Sequence, residues 1–268
     1  MAVHLTLHTQ PAVPLEAESL TPDRFVGLSE SGVAGLPVMH GNQPATVGDF
    51  FNVANSKTTQ ITIEGDLTRV KRIGEGMTQG QLLVEGNVGM HVGAGMRGGK
   101  LVVEGNASDW AGAQMKGGRL IIKGNAGDLV GAAYRGARTG MQGGEIIVHG
   151  HAGAEIGSYM RRGLIAIGSN SGDFSGVHML AGTIIVLGKM GWRAGAGMKR
   201  GTLVSMQPAH LLPTFNFDCR YRPTFLRLYL QHLRALRLPI TDAQIAGEYH
   251  RWSGDMVELG RGEILSMV

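Results

Sequence analysis

The sequence predicts an all-β fold, a right-handed parallel β-helix of about seven coils. Three observations carry this prediction: an internal repeat of 19 residues, glycine at fixed places in each repeat, and an apolar triplet at each repeat's start. Glycine accounts for 43 of the 268 residues, more than twice its usual share of about 7%. Hydrophobic residues still make up 43%, which is unlike the composition of a disordered chain.

Seven repeats follow one another from residue 60 to residue 201, within a predicted repeat domain of residues 60–204. Units of 19 residues occupy 81–99, 100–118, 145–163, 164–182 and 183–201. The unit at 119–144 has 26 residues, with an insertion around AAYRGARTG, and the first unit, 60–80, has 21. Residues 1–59 and 205–268 do not repeat, so we expect an N-terminal β cap, a repeat domain and a C-terminal tail.

Most units have glycine at their sixth and thirteenth places, and the ladder methionine follows three residues after the second glycine. The exceptions are Gly168, one place earlier, Gly74 in the longer first unit, and Met141, which the insertion delays. The methionines are Met77, Met96, Met115, Met141, Met160, Met179 and Met198. We expect the triplets to stack as parallel strands about 4.8 Å apart, with glycine supplying positive φ at the corners. The methionines then form an interior ladder, which explains all seven better than a soft-metal site does.

Two other solenoids fit the repeat less well. A left-handed β-helix of the acyltransferase kind has three hexapeptides per coil, and a calcium-binding solenoid carries a GGxGxD nonapeptide. Neither pattern occurs in this sequence. The right-handed form is therefore the prediction.

The apolar triplets predict that something covers the outside of the sheet. In units such as Leu101-Val102-Val103 and Ile184-Ile185-Val186 all three residues are apolar, although successive strand residues point to opposite faces. A large exposed apolar face is a liability for a protein in water. We expect burial under the chain's own tail or under another subunit.

The tail, residues 205–268, is predicted to be helical. Apolar residues at helical spacing run from Phe225 to Leu236, between Pro223 and Pro239. A second helix is expected to start at Thr241 or Asp242 and to run through QIAGEYHRW. Several arginines are expected to line the first helix, as a solvated face or as a docking surface for an acidic partner. They are Arg220, Arg222, Arg227, Arg234 and Arg237.

No catalytic residues and no metal site are predicted. The sequence contains no GxSxG, HExxH, P-loop or CxxC motif. His149 and His151 share a strand face but find no third ligand in neighbouring units. The seventh-place residues, mostly asparagine, predict a hydrogen-bonded ladder at a turn.

Composition and net charge limit the cellular location and the kinds of partner that we expect. A single cysteine, Cys219, allows no internal disulfide, and no apolar run reaches the length of a membrane span, so we expect a cytoplasmic protein with no membrane role. The net charge of +4 and the pI near 9.4 permit an anionic ligand or acidic partner. They do not require nucleic acid, because aromatic residues are not interleaved with the basic ones.

The candidate binding residues form a predicted basic stripe. Four of the seven ladder methionines are followed directly by a basic residue, and others lie next to these positions or in the inserted loop. The candidate residues are Arg97, Lys116, Arg135, Arg138, Arg161, Arg162, Lys199 and Arg200. Stacked like charges repel, so the stripe is either a splayed, solvated column or a track for a polyanion or an acidic surface.

Three segments outside the repeats carry a family resemblance. PLEAESLTPDRF, GN…VGDFFNV and YHRWSGDMVELGRGEIL, with the repeat block, resemble the C subunits of formylmethanofuran dehydrogenase and of the related formyltransferase/hydrolase complex. The repeat block alone is also similar to the glycine-repeat domain of the glutamate synthase large subunit. That domain lacks the PLEAES and VGDFF segments, which favours the first family.

The resemblance implies a structural subunit in a four-subunit cytoplasmic complex of one-carbon metabolism. Its partners would be an amidohydrolase-like A subunit, a B subunit and a formyltransferase D subunit. The complex would move formyl from formyl-tetrahydromethanopterin to a methanofuran-type or methylofuran-type cofactor and hydrolyse it to formate. No cofactor is expected on this chain alone, although the glutamate arm of that cofactor suits the basic stripe.

The sequence leaves two versions of the complex open. Its Arg-rich, Met-rich, Lys-poor composition favours a mesophilic bacterium over a thermophilic archaeon. We therefore favour the formyltransferase/hydrolase complex, which the resemblance associates with methylotrophic bacteria. The alternative is a tungsten- or molybdenum-containing formylmethanofuran dehydrogenase, whose B subunit holds a metallopterin.

Overall fold

The computed structural model describes residues 3–55 and 60–268. Strands dominate these ranges, which confirms the all-β class. The strands are β1 (Val3–Leu7), β2 (Leu15–Glu16), β3 (Pro37–His40), β4 (Gln43–Thr46), β5 (Phe51–Asn55), β6 (Ile61–Glu64), β7 (Val70–Lys71), β8 (Gln81–Glu85), β9 (Arg97–Val103), β10 (Gly117–Ile122), β11 (Gln142–Val148), β12 (Arg162–Ile167), β13 (Thr183–Val186), β14 (Arg200–Ser205), β15 (Asn216–Tyr221), β16 (Tyr249–Gly254) and β17 (Arg261–Met267). The helices are α1 (Pro22–Phe25), α2 (Glu30–Ala34), α3 (Thr224–Ala235) and α4 (Asp242–Ala246), and a 3-10 turn spans Val47–Asp49.

Most strands join one large mixed sheet. Its order is β15-β16-β17-β14-β13-β12-β11-β10-β9-β8-β6-β1-β5. From β6 through β14 every pair is parallel and offset by one repeat, so that Leu101 lies beside Leu82 on one side and Leu120 on the other. A second set of parallel bridges links Leu67 to Val88 and onward through the eighth place of later repeats. Successive repeats therefore stack in register at two points.

The methionine ladder is confirmed as interior. All seven ladder methionines have no exposed surface. They lie in the main core with the first and third residues of each triplet, such as Leu101 and Val103. The unbranched thioether side chain adapts to small differences between repeats, so one residue type fills the same place in every repeat.

Glycine has two different roles at the corners. The thirteenth-place glycines all have positive φ, as at Gly112 with φ +63°. The expectation of positive φ at the sixth place is wrong for most repeats: Gly105 is not in that region. A Cβ at Gly105 would lie 2.5 Å from the carbonyl oxygen of Gly86 in the preceding repeat, so close approach of two backbones excludes a side chain there.

A column of non-glycine residues also has positive φ, at the eleventh place. Trp110 has φ +65° and Phe174 has φ +60°. The full column is Arg72, His91, Trp110, Leu129, Glu155, Phe174 and Arg193. The sequence did not predict this turn, because these residue types do not favour the left-handed backbone conformation that positive φ requires.

The tail covers most of the outer face of the sheet. Ile147, Ile185 and Val204, the outward residues of three triplets, have no exposed surface. They form a second hydrophobic cluster with Leu230 and Leu233 of α3. The predicted cover is therefore the chain's own tail from β10 onward, whereas Leu83 and Val102 on the earlier strands stay half-buried.

The tail is less helical than predicted. Helix α3 begins after Pro223 and α4 is capped by Thr241, as expected. However, α4 ends at Ala246, and EYHRW does not continue it: Tyr249–Gly254 is strand β16, antiparallel to both β15 and β17. A strand here gives β17 a partner on its second side, and β17 itself pairs in parallel with β14.

Two of the arginines assigned to the first helix lie elsewhere. Arg220 belongs to β15 and Arg222 follows it, and both approach Glu248, at 2.6 Å and 3.5 Å. Arg234 on α3 pairs with Asp242 at 2.6 Å. The proline before the helix confines α3 to residues after it, which leaves Arg227, Arg234 and Arg237 on or next to α3.

The N-terminal segment closes the other end of the stack and is not purely β. Strand β1 pairs in parallel with β6 and antiparallel with β5, so the first repeat does not end in an open edge. Helices α1 and α2 lie within this segment, and a small sheet has the order β4-β3-β2-β7. The predicted boundary at residue 59 lies outside the described residues, and the division at residue 204 stays a prediction. No described helix is long and apolar enough to cross a membrane.

Candidate functional site

The basic edge is the column of charged side chains at the start of the repeat strands. We define it as Arg97, Lys116, Arg161, Arg162, Lys199 and Arg200, all of which are exposed. In every repeat after the first, the backbone N–H that follows the ladder methionine donates to the carbonyl of the methionine one repeat earlier, at 2.6 Å for Lys116 and 2.8 Å for Arg161. The repeat therefore aligns these residues along one edge.

The charge of this edge is largely uncompensated. Lys199 Nζ lies 3.7 Å from Glu258. Within residues 3–55 and 60–268, no ion pair neutralises Arg97, Lys116 or Arg161. Gln142 and Leu180 interrupt the column, which spaces the charges and limits their repulsion.

The structure adds one basic residue that sequence reasoning missed. Arg261, at the start of β17, lies directly beside Arg200 of β14 and is exposed. The segment RGEIL repeats the pattern of RGTLV at 200–204, and this similarity was the available signal. The tail thus continues the basic edge beyond the seventh repeat.

Arg135 and Arg138 lie apart from this edge. Both are on the inserted loop, and they line a separate depression of about 270 Å³ with Trp110 and Tyr159. The Tyr134 hydroxyl lies 3.1 Å from His91 Nδ1. The insertion enters the repeat before its methionine, at the corner with positive φ, so its arginines lie in a different depression from the one that Arg161 and Arg162 line.

A groove of about 680 Å³ adjoins the middle of the basic edge. Arg161 and Arg162 line it from the sheet, and Phe225, Leu228 and Tyr229 line it from α3. Sequence reasoning missed this groove, because it depends on where the tail helix packs. The groove combines positive charge with apolar and aromatic surface.

The one carboxylate that lines the groove, Glu145, is already engaged. Its Oε2 lies 2.7 Å from Arg119 Nε, and its Oε1 lies 2.9 Å from His232 Nε2. It is therefore not free to neutralise the two groove arginines. The local excess of positive charge favours an anionic or acidic occupant.

The histidines of the HGH segment do not make a metal centre. Burial and the nearby Lys123 lower the pKa of His149, while His151 contributes to the turn ladder. In the described part of the chain, no group of three or more His, Cys, Asp or Glu side chains could hold a metal ion.

The asparagine ladder is confirmed. The Oδ1 of Asn87 accepts from the N–H of Asn106 at 2.8 Å, and the Oδ1 of Asn106 accepts from the N–H of Asn125 at 2.8 Å. A second ladder was missed: Asp109 Oδ1 accepts from the N–H of Asp128 at 2.9 Å, and Asp128 accepts from Ala154. Both ladders satisfy backbone donors at corners and leave the basic edge as the main chemical feature.

The fold and this charged edge define a class of glycine-repeat protein with a row of exposed basic residues. Residues 100–214 match the family model described as GXGXG motif. The chain is 48% identical over 259 residues to the C subunit of a tungsten-containing formylmethanofuran dehydrogenase 2 from Methanococcus maripaludis, covering 94% of this chain and 91% of the relative. The chain therefore belongs to the family of formylmethanofuran dehydrogenase C subunits, which confirms the resemblance.

Two further comparisons extend this result. The C subunit of the tungsten-containing enzyme of Methanothermobacter thermautotrophicus is 49% identical over 93 residues, which span only 34% of that relative and 33% of this chain. A solved chain in the crystal structure of the formyltransferase/hydrolase complex (FhcABCD) from Methylorubrum extorquens, in complex with methylofuran, superimposes with a TM-score of 0.92. It is 36% identical, with 99% of both chains covered.

Proposed function

We propose that this chain is the structural C subunit of a multi-subunit formyltransferase/hydrolase complex. The observation that carries the proposal is the match over 99% of both chains, at a TM-score of 0.92, with a chain of such a complex. In this role the chain scaffolds an amidohydrolase-like A subunit, a B subunit and a formyltransferase D subunit. The catalysed change is formyl transfer from formyl-tetrahydromethanopterin to a methanofuran-type cofactor, followed by hydrolysis to formate.

A specific observation favours a second candidate, the C subunit of a formylmethanofuran dehydrogenase. The identity to the tungsten-containing relative from Methanococcus maripaludis, 48%, exceeds the 36% to the Methylorubrum chain. Both candidates assign this chain the same scaffolding role. They differ in whether the B subunit holds a metallopterin.

The proposal includes a finer description of the fold, a right-handed parallel β-helix of about seven coils. Its support is the parallel pairing of β6 through β14, each offset by one repeat, together with the second set of bridges at the eighth place. Stacked coils make a rigid rod whose flanks can meet several subunits. A cytoplasmic location stays a prediction.

Affinity purification from the native organism tests the role of the chain. A tagged chain should recover an amidohydrolase and a formyltransferase in equal proportions, and the purified chain alone should show no formyl transfer or hydrolysis. Recovery of the chain alone would contradict the proposal. Tungsten, molybdenum and pterin analysis of the recovered complex then separates the two candidates, since only the dehydrogenase holds a metallopterin.

The basic edge is proposed to hold the anionic glutamate arm of the cofactor. Its support is the column of exposed arginines and lysines, of which Arg97, Lys116 and Arg161 have no ion pair in the described ranges. The triple variant Arg97→Glu, Lys116→Glu, Arg161→Glu should bind a polyglutamate peptide roughly tenfold more weakly in a low-salt titration.

A charge-matched variant controls for long-range electrostatics. Exposed basic residues away from this edge are Lys123, Lys189 and Arg193. Their reversal to glutamate changes the net charge equally and should leave the peptide affinity close to that of the wild type. An equal loss of peptide affinity in both triple variants would show a general effect of net charge and would contradict binding along the basic edge.

A further inference from the structure

Helix α3 has more apolar surface than its own packing uses. One stripe, Leu226, Leu230 and Leu233, is at most 1% exposed and packs on the outer face of the sheet. A second stripe, Phe225, Leu228 and Tyr229, is 37%, 71% and 36% exposed. A surface helix ordinarily needs only one such stripe, so the second one is surplus to the folding of this chain.

The surplus stripe borders the groove rather than open solvent alone. Phe225, Leu228 and Tyr229 form one wall, and Arg161 and Arg162 stand opposite them. The rings of Phe225 and Tyr229 meet edge to face, with centroids 6.5 Å apart. The groove therefore has an apolar and aromatic lining from α3 and a positively charged lining from the sheet.

The charges of the groove indicate what fits it. Arg161, Arg162 and, on the outward side of α3, Arg227 are exposed and make no ion pair within residues 3–55 and 60–268. Glu145 is held by Arg119. An occupant therefore needs apolar side chains for α3 and carboxylates for the arginines.

We propose that this groove binds an acidic, amphipathic segment of a partner subunit, an assignment that rests on the proposed membership of a complex. Apolar anchors of the segment lie against Leu228 and the two aromatic rings, and an Asp or Glu side chain pairs with Arg162. Arginine and aromatic residues are the types that most often dominate binding energy at such interfaces. One side of α3 thereby stabilises the fold of this chain, and the other side contacts the partner subunit.

The test is affinity purification of the complex with Leu228→Asp and Arg162→Glu variants. Each should reduce recovery of one partner polypeptide, with its affinity for the purified chain falling roughly thirtyfold, while the thermal midpoint of the isolated chain is unchanged. Val257→Asp, at a residue 77% exposed, and Lys189→Glu are the matched controls and should recover every partner. In the wild-type complex, α3 amides should exchange more slowly with deuterium than in the isolated chain.

The outcomes separate the two proposals. If the wild type recovers no partner, the proposed function fails and this assignment with it. If the wild type recovers its partners and both variants recover them equally, or α3 exchange is the same in complex and isolated chain, the groove assignment alone fails. If the isolated chain sediments as a dimer that Leu228→Asp dissociates, the occupant is a second copy and the partner assignment is wrong. If the Leu228→Asp variant does not fold, partner recovery with Arg162→Glu and the deuterium exchange of α3 in the wild-type complex test the groove assignment.

Discussion

At the residue scale, a single buried methionine reports how tightly the repeats pack. Met115 has no exposed surface and is the third of the seven ladder methionines, with neighbours on both sides. We predict that Met115→Ala lowers the free energy of unfolding by about 2–5 kcal/mol, because the rigid neighbouring repeats cannot close the cavity. Urea denaturation measures this loss. Met256→Ala is the control, since Met256 is 47% exposed, and an equal loss in both variants would contradict the ladder.

Asp255 makes the stability of the tail depend on pH. The residue is 4% exposed, and its carboxylate accepts from the N–H of Gly197 at 2.9 Å and of Val257 at 3.0 Å. Burial alone would raise the pKa, but these hydrogen bonds outweigh it and hold the pKa of Asp255 below its ordinary value of 3.8. The stabilisation is therefore complete above that value and is lost as the pH falls through the lower folded-state pKa.

We predict that Asp255→Asn lowers the free energy of unfolding by about 1–3 kcal/mol near neutral pH, because the charge-assisted acceptor is gone. The difference from the wild type should shrink once the pH falls below the ordinary aspartate value. Urea denaturation as a function of pH provides the measurement. Asp242→Asn, at a side chain 92% exposed, should show little difference, and a gap for Asp255→Asn that persists in acid would contradict the linkage.

At the element scale, the two stripes of α3 should separate folding from assembly. We predict that Leu230→Ala costs about 2–5 kcal/mol of unfolding free energy and raises hydrophobic dye binding, because the outer face loses its cover. Leu228→Ala, on the exposed stripe, should stay within about 0.5 kcal/mol of the wild type. Thermal unfolding of the isolated chain compares them. A similar cost for both would mean that the surplus stripe also serves the fold.

The tail shows which elements the local sequence pattern predicts correctly and which it does not. The Phe225–Leu236 periodicity and the Thr241 cap predicted α3 and the start of α4 correctly. The segment after Ala246 was expected to stay helical, and it is a strand because β17 offers it a partner edge. A short segment whose periodicity fits both states takes the one that long-range pairing supplies.

At the scale of the whole molecule, the repeat stack should be most stable in its middle. Strands β10 and β11 have a repeat on both sides, whereas β5 and β15 end the large sheet. We predict that amides of β10 and β11 exchange slowest and those of β15 fastest in native-state hydrogen exchange, because each repeat is stabilised by its neighbours. Uniform protection across the sheet would contradict this gradient.

The sequence by itself determined the features that recur along the 19-residue repeat. The 19-residue period settles the register of the parallel strands, the buried methionine ladder and the alignment of Arg97, Lys116 and Arg161, because stacking places equivalent residues side by side. Only the tertiary structure decided what breaks the period. It separated Arg135 and Arg138 from the basic edge, added Arg261 to it through β17, and made the groove where α3 packs on the sheet. Those features depend on contacts between segments distant in the chain, which no local pattern encodes.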